Sequence, residues 1–181
     1  RMYYGNSSDF ANPWEIGLAT STDGVHWTKY PTPILTKTYT WEVQLGAGDV
    51  VKIGSVFYLY YTANGPLGTT IALATSTDGV VFTKYSELPL MKGTESWESG
   101  VVCTPSIVYE RGVYTMVYSV ANSSGLGIAT STDGKTWTKD AKNPFFTLQD
   151  VANGWTKNKI AYICYRKIGT EYRVYYSGYD A

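Results

Sequence analysis

The sequence predicts an all-β chain, a β-propeller of four-stranded antiparallel blades, and three observations carry that expectation. First, Leu-Ala-Thr-Ser-Thr-Asp-Gly at 18–24 returns at 73–79, and again at 128–134 with Ile in place of Leu. The Asp-Gly pairs at 23, 78 and 133 therefore stand 55 residues apart, a fixed period slightly above the usual blade length that marks a repeat architecture. Second, each copy reads as a β-hairpin: an apolar run enters Ser-Thr-Asp-Gly, and a short run leaves it through an aromatic residue and Thr-Lys. Gly accepts positive φ and Asp bonds its own backbone, so Asp-Gly between strand-like runs is a turn with a mechanism. Third, no segment shows a helical period or helix caps.

Taken in order, Arg1-Met-Tyr-Tyr4 matches the end of a second strand (Leu59-Tyr60-Tyr61), so the chain begins inside a blade. Ile16 to Thr20 is that blade's third strand and Val25 to Tyr30 its fourth, which makes 1–30 a partial blade without its innermost strand. Residues 47–85 are a complete blade: Asp49 to Ile53, Val56 to Ala63, Ile71 to Thr75 and Val81 to Tyr85. Phe57 to Tyr61 is apolar or aromatic on both faces, as a strand packed on both sides must be. Residues 104–140 repeat the unit with Ser106 to Tyr109, Val113 to Val120, Gly127 to Thr130 and Thr136 to Lys139. A second partial blade, 159–181, holds Ile160 to Tyr165 and Tyr172 to Ser177. That makes thirteen strands, about three blades, in one propeller-type domain over 1–181. The turns at Gly54-Ser55, Asp78-Gly79, Gly112 and Asp133-Gly134 are tight and share one face. The longer, varied connections share the other, where function usually sits on a rigid scaffold.

Composition narrows the function classes. Fifteen acidic and fifteen basic residues cancel, which argues against a nucleic-acid or membrane-surface binder relying on a basic patch. No apolar run approaches the ~18–20 residues of a membrane span, and no signal peptide is visible behind Arg1. Cys103, Cys164 and the single His26 form no metal spacing. The thiols read as half-buried strand residues and His26 as a surface residue on the tight-turn face. No cofactor or metal is expected. Seventeen Tyr and six Trp suit strands and sugar-binding clefts alike.

Two resemblances add to this reading. The Ser-Thr-Asp-Gly-x-x-Trp string resembles the Asp-box of sialidase-type propellers, one residue short of its usual spacing. That box stabilises a turn, so Asp23, Asp78 and Asp133 are read as structural. Gly48-Asp-Val-Val-Lys-Ile-Gly-Ser-Val-Phe-Tyr-Leu-Tyr-Tyr61, Pro105-Ser-Ile-Val-Tyr-Glu-Arg-Gly-Val-Tyr114 and Ile71 to Gly79 resemble the five-bladed propellers of glycoside hydrolase family 43 and its arabinanase, xylosidase and invertase relatives. The resemblance covers nearly the whole chain. It implies a funnel on the loop-rich face with an Asp base, an Asp that tunes pKa and a Glu acid. One carboxyl group protonates the leaving oxygen while another activates water.

Carried over, Asp49 matches the second Asp and Glu98 is the counterpart of the Glu acid. The first Asp belongs on an inner strand absent ahead of Arg1, and Ile160 to Tyr165, which could stand in its place, carries no carboxylate. Glu98 also departs from the pattern, because Pro105 follows seven residues later and because Trp97-Glu98 repeats as Trp41-Glu42, a sign of blade packing. The substrate-binding candidates are Trp14, Glu15, Trp41, Glu42, Asn64, Trp97, Asn122 and Trp155, since aromatic faces and polar edges suit sugar rings; packing between blades at the rim is the competing role. Three outcomes are open for the incomplete ring: a fragment of a longer enzyme, self-association that covers the open sides, or a smaller distorted ring; the half-units at the two ends make a self-associating homo-oligomer the expectation. Three functions are open as well: a glycoside hydrolase or its remnant acting on plant-type pentose or fructose polymers, a carbohydrate-binding module, and an interaction scaffold. A glycosidase would place the chain outside the cell or in a periplasm.

Overall fold

The structure, a computed structural model, describes residues 1–6, 14–120, 125–151 and 154–179. It consists of antiparallel sheets that follow the repeat. The first has the order β1 (Met2–Asn6), β2 (Glu15–Thr20), β3 (Thr28–Lys29). The second is β4 (Gln44–Ile53), β5 (Val56–Gly65), β6 (Gly68–Ser76), β7 (Thr83–Lys84). The third is β8 (Val102–Glu110), β9 (Val113–Val120), β10 (Gly125–Ser131), β11 (Thr138–Lys139), with β12 (Phe146–Thr147) also on β10. The last is the hairpin β13 (Lys159–Ile168), β14 (Glu171–Tyr179). The helical content of the described residues is single 3-10 turns such as Ser96–Glu98 and Leu148–Asp150. The arrangement is that of propeller blades, and the expected all-β propeller class holds.

The core lies between sheets, because alternate residues of each middle strand face opposite neighbours. Leu59, Tyr61 and Ala63 of β5 pack with Ile16, Leu35 and Trp41 toward the first sheet. Tyr60 of the same strand packs with Tyr114, Met116 and Tyr118 toward the third. Val117 and Leu126 pack with Ile160 and Tyr165 toward the last. Seen this way, Phe57 to Tyr61 is apolar on both faces because β5 is sandwiched.

Two features differ from the expectation. The fourth strands shrink to two residues each, because the residues just before them are tied into the Asp-Gly turn. In that turn Ser21, Ser76 and Ser131 accept the amides of Gly24, Gly79 and Gly134 at 2.8–2.9 Å. Asp23, Asp78 and Asp133 each accept the next two amides but one at 2.7–2.9 Å. The outer edge of each blade is instead continued by the inter-blade connector, which folds back on the third strand at Ile16–Leu35, Ile71–Met91 and Leu126–Phe146. The innermost strands also start earlier than expected and carry a register shift just before Asp49, Ser106 and Cys164, the mark of a β-bulge that re-aims side chains.

Candidate functional site

Those three bulges bring the inner strands together around Asp49. Its Oδ2 accepts from the Ser106 hydroxyl and the Ile107 amide, each at 2.9 Å, and from Arg166 Nη1 at 2.7 Å. Oδ1 accepts the Val50 amide at 3.0 Å and Arg166 Nη2 at 3.3 Å. Burial pulls the Arg166 guanidinium down, but the Asp49 carboxylate outweighs it and holds Arg166 above its ordinary value. One carboxylate thus ties β4, β8 and β13 across the axis. A carboxylate that accepts five hydrogen bonds is held in one orientation.

Glu98 is placed elsewhere, in the 3-10 turn Ser96–Glu98 of the connector ahead of β8. Its side chain is fully buried. Oε2 accepts the amides of Thr94 (2.8 Å) and Glu95 (2.9 Å) and Lys139 Nζ (2.6 Å), and Oε1 accepts the Tyr118 hydroxyl (2.9 Å). Glu42 repeats the arrangement with the amides of Thr38 and Tyr39, the Tyr61 hydroxyl and Lys84 Nζ. Burial pushes the Glu42 carboxyl up, but Lys84, the two amides and the Tyr61 hydroxyl together hold it below the ordinary value of 4.5. Both glutamates are buried latches that pin a connector onto its blade. Trp41 and Trp97 belong to the same latches. Trp41 is 6% exposed and donates its indole N–H to the Glu87 carbonyl at 2.8 Å; Trp97 leans on Tyr118.

At the loop-rich end the remaining candidates spread along the rim. Trp14 is exposed beside Gly5 and the start of β4, where its carbonyl accepts the Leu45 amide at 2.9 Å. Glu15 next to it is half-buried and Asn64 is exposed. Trp155 is 53% exposed and stacks on Tyr176, ring centroids 5.6 Å apart. Asn122 lies outside the described residues. Sequence reasoning missed Tyr162, which is 69% exposed at the β13 bulge, has φ of 51°, and stands 6.5 Å from the Tyr179 ring. Only the unusual backbone turns it outward, and nothing in the local sequence announces it.

A cavity of about 460 Å³ opens on the tight-turn face beside β1, lined by Arg1, Met2, Lys52 and Phe57 and reaching Asp49 and Arg166. Cys103 and Cys164 are free, half-buried thiols on the inner strands, and His26 is an exposed neighbour of Asp23 at 2.8 Å. Among the described residues no group of three His, Cys, Asp or Glu could hold a metal ion, and no helix is long and apolar enough to cross a membrane.

Comparison with known proteins fits this geometry. The family model of β-1,4-mannooligosaccharide phosphorylase, glycoside hydrolase family 130, matches residues 1–161. A probable sucrose-6-phosphate hydrolase of Psychromonas ingrahamii is 28% identical over 128 residues, which is 66% of this chain and 23% of that protein. A family 32 β-fructofuranosidase of Bombyx mori superposes with a TM-score of 0.76 at 19% identity, over 99% of this chain and 39% of its own. A thermostable family 43 glycoside hydrolase gives 0.75 at 16% identity, over 96% and 60%. These structural likenesses show the fold. The chain spans about a quarter of the length of the curated relative and 39–60% of these two structures.

Proposed function

The chain belongs to the β-1,4-mannooligosaccharide phosphorylase family of glycoside hydrolases, and on that premise we propose that it binds a β-linked oligosaccharide at its loop-rich end and takes part in its phosphorolytic cleavage. Carbohydrate processing is the function class the family gives. The finer reading rests on the family match, with the exposed aromatic rings as support. Trp14, Trp155 and Tyr162 offer apolar faces to sugar rings, and Glu15 and Asn64 offer polar edges. Phosphorolysis also asks less of the protein than hydrolysis. A phosphate oxygen attacks the anomeric carbon as the glycosidic C–O bond breaks, so one carboxyl group that protonates the leaving oxygen suffices; hydrolysis needs a second carboxylate to activate water. Asp49 enters as a positioning group that holds Arg166 and the inner strands.

One observation favours a second reading, carbohydrate binding without cleavage. Of the two residues expected to be catalytic, Glu98 is sealed in a latch and Asp49 has its lone pairs occupied. The test incubates the protein with β-1,4-linked mannooligosaccharides, with and without inorganic phosphate, and looks for a sugar 1-phosphate. Affinity electrophoresis on mannan runs in parallel. Phosphate-dependent product supports phosphorolysis, retardation without product supports the binding reading, and neither overturns both. Tyr162→Ala should weaken retardation roughly tenfold, from the ~1–1.5 kcal/mol of one aromatic platform, with the unfolding midpoint unchanged.

A further inference from the structure

The two latches hold their lysines differently. Lys139 gives its N–H donors to three acceptors: the Lys92 carbonyl at 2.9 Å, the Thr94 hydroxyl at 3.1 Å and Glu98 at 2.6 Å. An ammonium has three donors, so that latch is complete. Lys84 gives one donor to the Thr36 carbonyl at 2.8 Å and one to Glu42. Thr36, Thr38 and Glu42 stand in step with Lys92, Thr94 and Glu98, but among the described residues no third acceptor meets Lys84. The Tyr39 ring lies near it, its centroid 5.4 Å from Nζ. The Lys84 side chain is 7% exposed. Burial pulls its ammonium below the ordinary value, and Glu42 offsets only part of that. A buried donor short of an acceptor costs free energy until something supplies one.

A cavity of about 310 Å³ lies against that lysine, between the connector ahead of β4 and the outermost strand of the second sheet. Ile34 and Phe82 give it apolar walls, and Thr36, Thr38 and Thr83, all exposed, give it hydroxyl groups. The lining falls within 33–39 and 82–84, in the interior of the sequence. It is also particular to this latch. Thr36, Tyr39 and Phe82 stand where the other latch has Lys92, Glu95 and Trp137. Two charged side chains are thus replaced by a hydroxyl and an aromatic ring.

We propose that this cavity is an accessory binding site for one neutral sugar ring. Lys84 donates its remaining N–H to a ring hydroxyl, the threonine hydroxyls exchange hydrogen bonds with others, and the C–H face of the ring lies on Phe82 and Ile34. The volume is at the small end of the ~300–1,000 Å³ of ligand pockets, which suits a single ring rather than a chain. Charge selects a neutral ligand. Glu42 already balances Lys84, so a carboxylate or phosphate placed beside Lys84 would also be repelled by Glu42. The site shares no lining residue with Trp14, Trp155 or Tyr162. Mannose as the first probe rests on the family reading above; the cavity and its donor do not.

The test titrates the isotope-labelled protein with mannose, glucose and xylose, and with glucuronate as the charged counterpart. Magnetic resonance follows the backbone amides and the Lys84 ammonium signal. Saturable shifts at 34–39 and 82–84, together with a shift of the Lys84 ammonium, are expected for at least one neutral sugar. Thr38→Val and Thr36→Val should each weaken that binding roughly fivefold, the loss of one hydrogen bond. Both residues are exposed, so each variant should unfold at the temperature of the parent. Shifts at Trp155 and Tyr162 without shifts at 34–39 overturn this proposal and leave the loop-rich reading standing; the reverse pattern upholds this proposal alone. Absence of shifts at both places, tighter binding of glucuronate than of any neutral sugar, or binding indifferent to both threonine substitutions also overturns it.

Discussion

Glu98 shows how strongly a buried charge depends on its partner. Its carboxylate has left water entirely and is satisfied by two amides, a phenol and Lys139. Removing one member leaves the other buried and unpaired, at about 3–5 kcal/mol. Glu98→Gln and Lys139→Met should each lower the unfolding free energy from urea denaturation by that much, and the double variant should lose less than the sum, read as a double-mutant cycle. The pH dependence follows from Glu42. Its folded-state carboxyl lies below the ordinary 4.5, so the unfolded chain binds the proton more readily. Its stabilisation is therefore complete above about pH 4.5 and is lost as pH falls through the lower folded value. Asp78 and Asp133 are depressed in the same direction, by backbone amides first, but they are exposed and screened. The urea midpoint should fall with acid below pH 4.5, and Glu42→Gln should flatten that fall.

At the scale of the element, the hairpin is legible and the latch is not. Ser-Thr-Asp-Gly carries its turn in four adjacent residues, so the repeat alone predicts it, and the structure shows the same bonds three times. The latch is spread over Glu98, Tyr118 and Lys139, which share a face only after three strands and a connector have assembled. Its signal was nonetheless present, because Trp-Glu and Thr-Lys recur in step; what was missing was the fold that brings them together. The folded-back connectors at Leu35, Met91 and Phe146 escaped for a different reason: a single ladder pair has no period of its own. Glycine substitutions separate local from assembled demands. Gly24 has φ of 76° and open space around its missing Cβ, so Gly24→Ala should cost only the backbone preference, about 1 kcal/mol. Gly127→Ala would drive a methyl group into the Tyr118 ring and displace the hydroxyl that holds Glu98. Thermal unfolding should show Gly127→Ala clearly the more damaging of the two.

For the molecule as a whole, stability should follow how many faces of a sheet are covered. The second sheet is packed on both sides, with Leu59, Tyr60 and Tyr61 each at most 1% exposed. The third is packed toward the second by Met116 and Tyr118 and toward the last by Val117 and Leu126. The last hairpin has one covered face, and along β14 Tyr172, Tyr175 and Tyr179 are 42–54% exposed. Among the described residues β1 pairs with β2 alone. Apolar burial dominates the free energy of a sheet, at about 25 cal/mol per Å² removed from water, and opening occurs where buried contacts are fewest. Ladder pairing runs in the same direction, since β5 and β9 are paired along both edges and β14 along one. Native-state hydrogen exchange therefore reads the gradient directly. Amides of β5 and β9 should exchange only with global unfolding, while those of β14 and of β1 exchange through local opening at lower free energy. Uniform protection from β1 to β14 would mean that the sheets unfold as one unit and that the Asp49–Arg166 bond across the axis couples the last hairpin to the rest. Arg166→Met would then have to lower protection in β5 as much as in β14, whereas a graded molecule confines the loss to β13 and β14.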